Sequence, residues 1–250
     1  MIVCKSEREI EIMRKAGRIV ADALAIAKEI AKKDITTEDI NTRLEKYVLQ
    51  QGGIPVFKGY RGYPKSICTS INEEIVHGIP DERKLREGDI LSVDIGVEYR
   101  KYIADAAITI PIGVISKEAE TLLKVCEEAL NKAIEKTCAN NKLSEVSRSI
   151  QNHVESKGFS VIRDYTGHGI GRKMHEDPQI PNFVSKELLK ADEILLRGMA
   201  LAIEPMICVG KYDTEVLKNR WTVVTKDRKL SAHFEHTVVV TENGAEILTD

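Results

Sequence analysis

Two stretches of strict alternation, close together in the chain, constrain this sequence more than any other feature. From Asp89 to Val97, Leu91, Val93, Ile95 and Val97 alternate with Ser92, Asp94 and Gly96. From Lys101 to Ile110, Ala104, Ala106, Ile108 and Ile110 alternate with Ile103, Asp105, Ala107 and Thr109. A period of two is that of a strand with one face buried, and the charged stretch between the runs makes the pair an antiparallel hairpin. Turned about Tyr99-Arg100, the hairpin sets Asp94 directly opposite Asp105, with β-carbons roughly 5 Å apart. Two anions that close repel unless one is protonated or a cation lies between them.

Around the hairpin the chain repeats one plan. Ser6-x-x-Glu9 is a capping box, and Ile10, Met13, Gly17, Val20, Leu24, Ala27 and Ile30 follow at helical spacing. A second helix starts near Thr37, carries Ile40, Leu44, Tyr47 and Val48, and stops at Gly52-Gly53. After a Gly/Tyr/Pro-rich loop, short strands are predicted at Ser66–Ser70 and Glu74–Val76. The second half opens with Ser116 as an N-cap and a helix bearing Leu122, Cys126, Leu130 and Ile134. A helix with Leu143, Val146, Ile150 and Val154 ends at Gly158, and strands are predicted at Ala200–Ile207 and Ala232–Thr241. His-Gly-Ile occurs once in each half, at His77 and at His168. Two helices followed by strands, given twice, indicate an internal duplication about a pseudo-twofold axis. The expected fold is α+β, a curved antiparallel sheet with helices outside, in a single domain spanning 1-250.

Further carboxylates sit where strand propensity and burial both oppose them. Glu204 lies in Met199-Ala-Leu-Ala-Ile-Glu-Pro-Met-Ile207, almost wholly apolar, and Pro205 cannot donate to a ladder. Glu235 shares a strand face with His233 and Thr237. His168 stands in Gly167-His-Gly-Ile-Gly171, where flanking glycines let backbone approach closely and leave the imidazole accessible. Taken singly, each has an ordinary structural reading, as a surface carboxylate, a salt bridge or a structural histidine. Together, four carboxylates and one imidazole are a hard, oxygen-rich donor set suited to two divalent ions such as Mn, Fe(II), Co or Zn, held ~3.5–4 Å apart by bridging carboxylates.

The order Asp94, Asp105, His168, Glu204, Glu235 resembles the five-ligand pattern of the pita-bread metallopeptidases. The segments Ser70–Pro80, Val93–Gly96, Gly167–Gly171, Ile203–Met206 and Phe234–Thr237 are similar to those of type I methionine aminopeptidases, over nearly the whole chain. The resemblance implies a metal-dependent exopeptidase (a hydrolase) that removes the initiator methionine from nascent proteins and prefers a small second residue. It implies that Asp105, His168, Glu204 and Glu235 hold one metal, and that Asp94, Asp105 and Glu235 hold the other. Water between the two would attack the first peptide bond, with Glu204 as proton acceptor. His77 would bond the scissile amide nitrogen and His175 the oxyanion. The substrate pocket would be lined by Tyr60, Tyr63, Cys68, His77, His175, Met174 and Trp221; Phe57 and Met174 depart from the Cys and Phe frequent in the family. One metal can accept the free α-amine, which would fix the cut after residue one. No ligand role falls to His153, which has no partner in sight, or to His236, which faces away from Glu235. His233 is left open, as a residue that orients a carboxylate.

Composition narrows the setting. A net charge of −2 with pI near 6.3 gives no basic field for nucleic acid or an anionic membrane. No apolar run approaches the ~18 residues of a membrane span, and charges from Lys5 onward leave no signal peptide. Five widely spaced cysteines with no CxxC indicate reduced thiols. A cytoplasmic monomer is expected, with nascent chains as substrates and a transient ribosome contact. Three alternatives compete: an Xaa-Pro peptidase, which needs an extra N-terminal domain that this length does not hold; a peptide- or RNA-binding module that has lost its ligands; and a metal-independent relative such as creatinase, which would lack the five-ligand set.

Overall fold

The computed structural model describes residues 2–250. The first half comprises α1 (Glu7–Ile30), α2 (Thr37–Gln50), β1 (Ile54–Pro55), β2 (Cys68–Ile71), β3 (Glu74–Val76), β4 (Ile90–Tyr99) and β5 (Tyr102–Pro111). The second comprises α3 (Lys117–Glu135), α4 (Leu143–Ser156), β6 (Ser160–Val161), β7 (Thr166–Gly169), β8 (Glu176–Pro181) and α5 (Lys186–Lys190). It continues through β9 (Ala200–Ile203), β10 (Met206–Cys208), β11 (Thr214–Val216), β12 (Val223–Thr225), β13 (Ser231–His233), β14 (His236–Thr241) and β15 (Gly244–Ile247).

The helices begin where their caps dictate. The Ser6 N–H donates to the Glu9 carboxylate at 2.9 Å, Asp39 N–H donates to Thr36 Oγ1 at 3.0 Å, and Ala119 N–H to Ser116 Oγ at 3.1 Å. Each helix pair buries its apolar stripe on its own half. Ala16, Val20, Leu24, Ala27, Ile40, Leu44 and Val48 pack on Leu91, Val93, Ile95, Val97, Ala104 and Ala106 of the β4–β5 hairpin. Leu122, Cys126, Leu130, Val146, Ile150 and Val154 pack on Leu201, Ile203, Val238 and Val240. This is the duplicated helices-over-sheet plan, and all the sheet pairings are antiparallel. All five cysteines are free. Among the described residues no helix is long and apolar enough to cross a membrane.

Three local features differ from expectation, and each bears on the site. The hairpin turns on Arg100-Lys101, both at positive φ (48° and 68°), as a two-residue loop closing a right-handed twist requires. Moving the turn by one residue shifts the pairing by two: Asp94 opposes Ala107 and Asp105 opposes Gly96. The two carboxylates therefore stay on one face as diagonal neighbours rather than directly opposed. The stretch Ala200–Ile207 is two strands: β9 joins a five-stranded sheet of order β15-β14-β9-β7-β8, and β10 joins a three-stranded sheet with β13 and β6. Glu204-Pro205 is the break between them, where the missing donor of Pro205 ends the ladder. Ala232–Thr241 is likewise divided into β13 and β14 at Phe234-Glu235. His153 does have a partner: its Nε2 lies 3.0 Å from Glu128, linking α4 to α3, so its role is structural.

The halves join along β5. Glu235 N–H donates to the Ala107 carbonyl at 2.8 Å, and on either side of this bridge a threonine hydroxyl takes the place of a backbone pair. Thr237 Oγ1 accepts from Asp105 N–H at 2.8 Å and donates to Asp105 O at 2.7 Å. Thr109 Oγ1 accepts from His233 N–H at 2.9 Å and donates to His233 O at 2.8 Å. These hydroxyl clamps fix the hairpin of the first half on either side of the Phe234-Glu235 break of the second.

Candidate active site

The seam and the two breaks bring the four carboxylates and His168 to the floor of one cavity of about 170 Å³. A strand break explains why buried carboxylates are tolerated here: Glu204 and Glu235 leave their ladders and turn inward. His168 stands on β7, held by glycines. A Cβ at Gly167 would lie 2.5 Å from the Ala202 carbonyl oxygen, and one at Gly169 would collide with the Asp177 carbonyl. Gly169→Ala is accordingly expected to cost about 3 kcal/mol of stability, as forced overpacking does, and to displace His168; chemical denaturation checks it. The His168 Nδ1–H donates to the Gly169 carbonyl at 2.9 Å, which leaves the Nε2 lone pair toward the carboxylates.

One ligand atom each from Asp105, His168 and Glu235 lies within 4.8 Å of the others. His168 Nε2 is 3.6 Å from Glu204 Oε1. Asp94 Oδ1, Asp105 Oδ1 and Glu235 Oε1 are buried with no hydrogen-bond partner. Burial, joined by the neighbouring carboxylates, holds Asp94, Glu204 and Glu235 far above the ordinary carboxylate range. Burial raises Asp105 to about 7. Burial and the His175 imidazole lower His168 to about 4, so it stays neutral. Orphaned carboxylate oxygens beside a neutral imidazole are a set that divalent cations complete, and the residues fit such ions.

Above the floor stand the other two histidines. His175 lies with its ring centroid 4.3 Å from that of His168, and Tyr60 Oη sits 2.8 Å from its Nδ1. Burial, then the Arg61 guanidinium, lowers the His175 pKa. His77 adopts φ 59°, outside the usual range for a non-glycine residue, between the rings of Tyr165 and Trp221 at 5.8 and 6.4 Å. Burial, then His175, lowers it to about 4. The walls are Phe57, Tyr60, Tyr63, Cys68, Met174 and Trp221, with Tyr63 edge-on to Trp221 at 5.1 Å.

Thus Asp94, Asp105, His168, Glu204, Glu235, His77, His175 and all of the expected lining residues meet in one place. Of two further neighbours, Arg61 carried no expectation and Phe57 was expected only as a departure from the family's pocket. Arg61 reaches the wall from the Gly59–Gly62 turn, and Phe57 stands behind Gly96. His233, left open by the sequence, lies 3.8 Å from Glu204 and 3.9 Å from Glu235.

Known proteins resemble this chain in sequence and fold. The sequence profile of metallopeptidase family M24 matches residues 11–242. A methionine aminopeptidase of Clostridium acetobutylicum is 50% identical over 250 residues, covering 100% of this chain and 99% of that protein. Methionine aminopeptidase 1 of Bacillus subtilis is 47% identical, with 100% and 99% covered. The crystal structure of a methionine aminopeptidase from Thermotoga maritima superposes with a TM-score of 0.97 at 45% identity, with both chains fully covered. A prolidase from Pyrococcus horikoshii, 22% identical, shares the fold at a TM-score of 0.80 over 64% of its length. From its matched profile, its full-length relatives and its pita-bread fold, the chain belongs to metallopeptidase family M24, among the methionine aminopeptidases.

Proposed function

We propose that the whole chain is one catalytic domain that hydrolyses the first peptide bond of polypeptides beginning with methionine, favouring a small second residue. The observation that carries this reading is the convergence of four carboxylates and His168 beneath a cavity walled by aromatic rings and sulfur. A cavity of about 170 Å³ suits one unbranched thioether side chain, and rings with sulfur suit its polarizable atom. Asp105, His168, Glu204 and Glu235 would hold one divalent ion and Asp94, Asp105 and Glu235 a second, from among Co, Mn, Fe(II) and Zn. Divalent ions there supply Lewis acidity and bring the ionisation of water toward neutral pH.

The chain's own groups do the rest. Glu204 accepts the proton of the attacking water and passes it on to the departing amine. His77, neutral at pH 7, bonds the scissile amide nitrogen. The Tyr60 hydroxyl donates to His175 Nδ1, which leaves Nε2–H as a donor to the oxyanion. His175→Ala is expected to lower kcat about 10²–10³-fold, the usual loss for one oxyanion donor, with metal content unchanged. Single-turnover kinetics with metal analysis of the same sample check it. Action on nascent chains accords with a cytoplasmic monomer and brief contact with the ribosome.

The test is direct. Protein stripped by chelator and reloaded with Mn(II), Co(II) or Fe(II) is incubated with Met-Gly-Ser and Xaa-Pro peptides, and products are read by mass spectrometry. Release of methionine alone, restored by metal, is expected. Cleavage of Xaa-Pro peptides instead assigns another specificity, and silence on every peptide with every metal overturns the reading.

A further inference from the structure

His233 Nε2 is a buried nitrogen without a hydrogen-bond partner, set between two carboxylates. It faces Glu204 Oε2 at 3.8 Å and Glu235 Oε2 at 3.9 Å. The other oxygen of each carboxylate points elsewhere: Glu204 Oε1 lies beside His168 Nε2, and Glu235 Oε1 is unpartnered. The His233 backbone is fixed at both N–H and C=O by the Thr109 hydroxyl, and β13 pairs it with Met206, so the ring has a set position. A carboxylate that ligates a metal can only accept, and Nε2 faces two of them, which selects the ring form with hydrogen on Nε2.

We propose that His233 is a positioning residue whose Nε2–H engages the Oε2 atom of Glu204, turning Glu204 Oε1 toward the metal beside His168. This rests on the reading that the two glutamates are ligands. Holding one oxygen of Glu204 aside sets its denticity, and outer partners of this kind govern metal affinity about 10–100-fold. His233→Leu keeps the bulk and removes the donor, while His233→Gln restores an N–H near the same place.

The experiment measures Mn(II) affinity by electron paramagnetic resonance of the free ion, for wild type and both variants, alongside ¹⁵N–¹H spectra of the His233 ring in the wild-type protein loaded with a diamagnetic ion, Zn(II). The expected result is a 10–100-fold loss of affinity in His233→Leu, recovery to within about threefold in His233→Gln, and a proton on Nε2 in the spectrum. Wild-type affinity in His233→Leu, or a ring protonated on Nδ1 alone, overturns the proposal even if the leucine variant folds poorly. A wild-type chain that binds no Mn(II) overturns instead the ligand assignment beneath it.

Discussion

Asp105→Asn lowers kcat/KM for a Met-Gly-Ser peptide at least 10³-fold, about 4 kcal/mol of transition-state stabilisation, and at the same time raises the melting temperature of the metal-free protein. The two effects have one cause. Asp105 is 3% exposed, its Oδ1 has no partner, and it is among the charges that press on Asp94, Glu204 and Glu235. The amide fills the same volume, carries no charge, and can donate to a neighbouring carboxylate, so a cost of keeping the cluster folded is removed. Each kcal/mol recovered is worth about 2–4 °C in a chain of this size. Scanning calorimetry in chelator, beside peptide assays with metal restored, reads both. A variant as active as the wild type sinks the assignment of Asp105 to the centre. A lower metal-free melting temperature shows that the charge is not a net burden.

Removing metal should also reverse how stability responds to pH. Asp94, Glu204 and Glu235 keep protons well above the ordinary carboxylate range when metal-free, while the unfolded chain has lost them by about pH 5. A raised carboxylate pKa gives stability that is lost as pH rises. The depressed histidines act oppositely: His77 and His168 near 4 and His233 near 3 favour folding increasingly between about pH 4 and 6.5. Above pH 7 the unfolded histidines are neutral, and the raised carboxylates set the slope, joined near pH 9 by the buried thiols of Cys68, Cys126 and Cys208, which act in the same direction. As pH rises above 7 the metal-free protein should lose stability, at about 3–5 °C per pH unit for each proton the folded state still retains. Binding displaces those protons, so stabilisation by metal grows with pH. At a thousandfold excess over Kd it reaches about 4 kcal/mol, or roughly 8–16 °C. Melting curves with and without Mn(II) across this range decide the matter, and a metal-free protein that grows more stable from pH 7 to 9 contradicts it.

The local signals survived folding because they depend on neighbours in sequence. The Ser6 and Ser116 caps and the alternation of Leu91, Val93, Ile95 and Val97 need no tertiary context. The hairpin register did need it: a shift of one turn residue changes no face, so periodicity alone could not separate Tyr99-Arg100 from Arg100-Lys101. The breaks at Glu204 and Glu235 were hidden for another reason. A strand that passes from one sheet to the next looks continuous in its apolar pattern, and only Pro205 betrays one of them. Arg61 and the contact between His153 and Glu128 arise from chain segments that meet only in space, which no single window of residues reports.

The hydroxyl clamps of Thr109 and Thr237 have a temporal consequence. Asp94 and Asp105 are supplied before the chain passes Pro111, whereas His168, Glu204 and Glu235 come from the later half and are aligned only when β13 and β14 seat against β5. A chain still emerging during synthesis thus carries an acidic pair without its imidazole. The capacity to cut peptides therefore waits on the seating of β13 and β14 against β5, after both halves of the chain are in place.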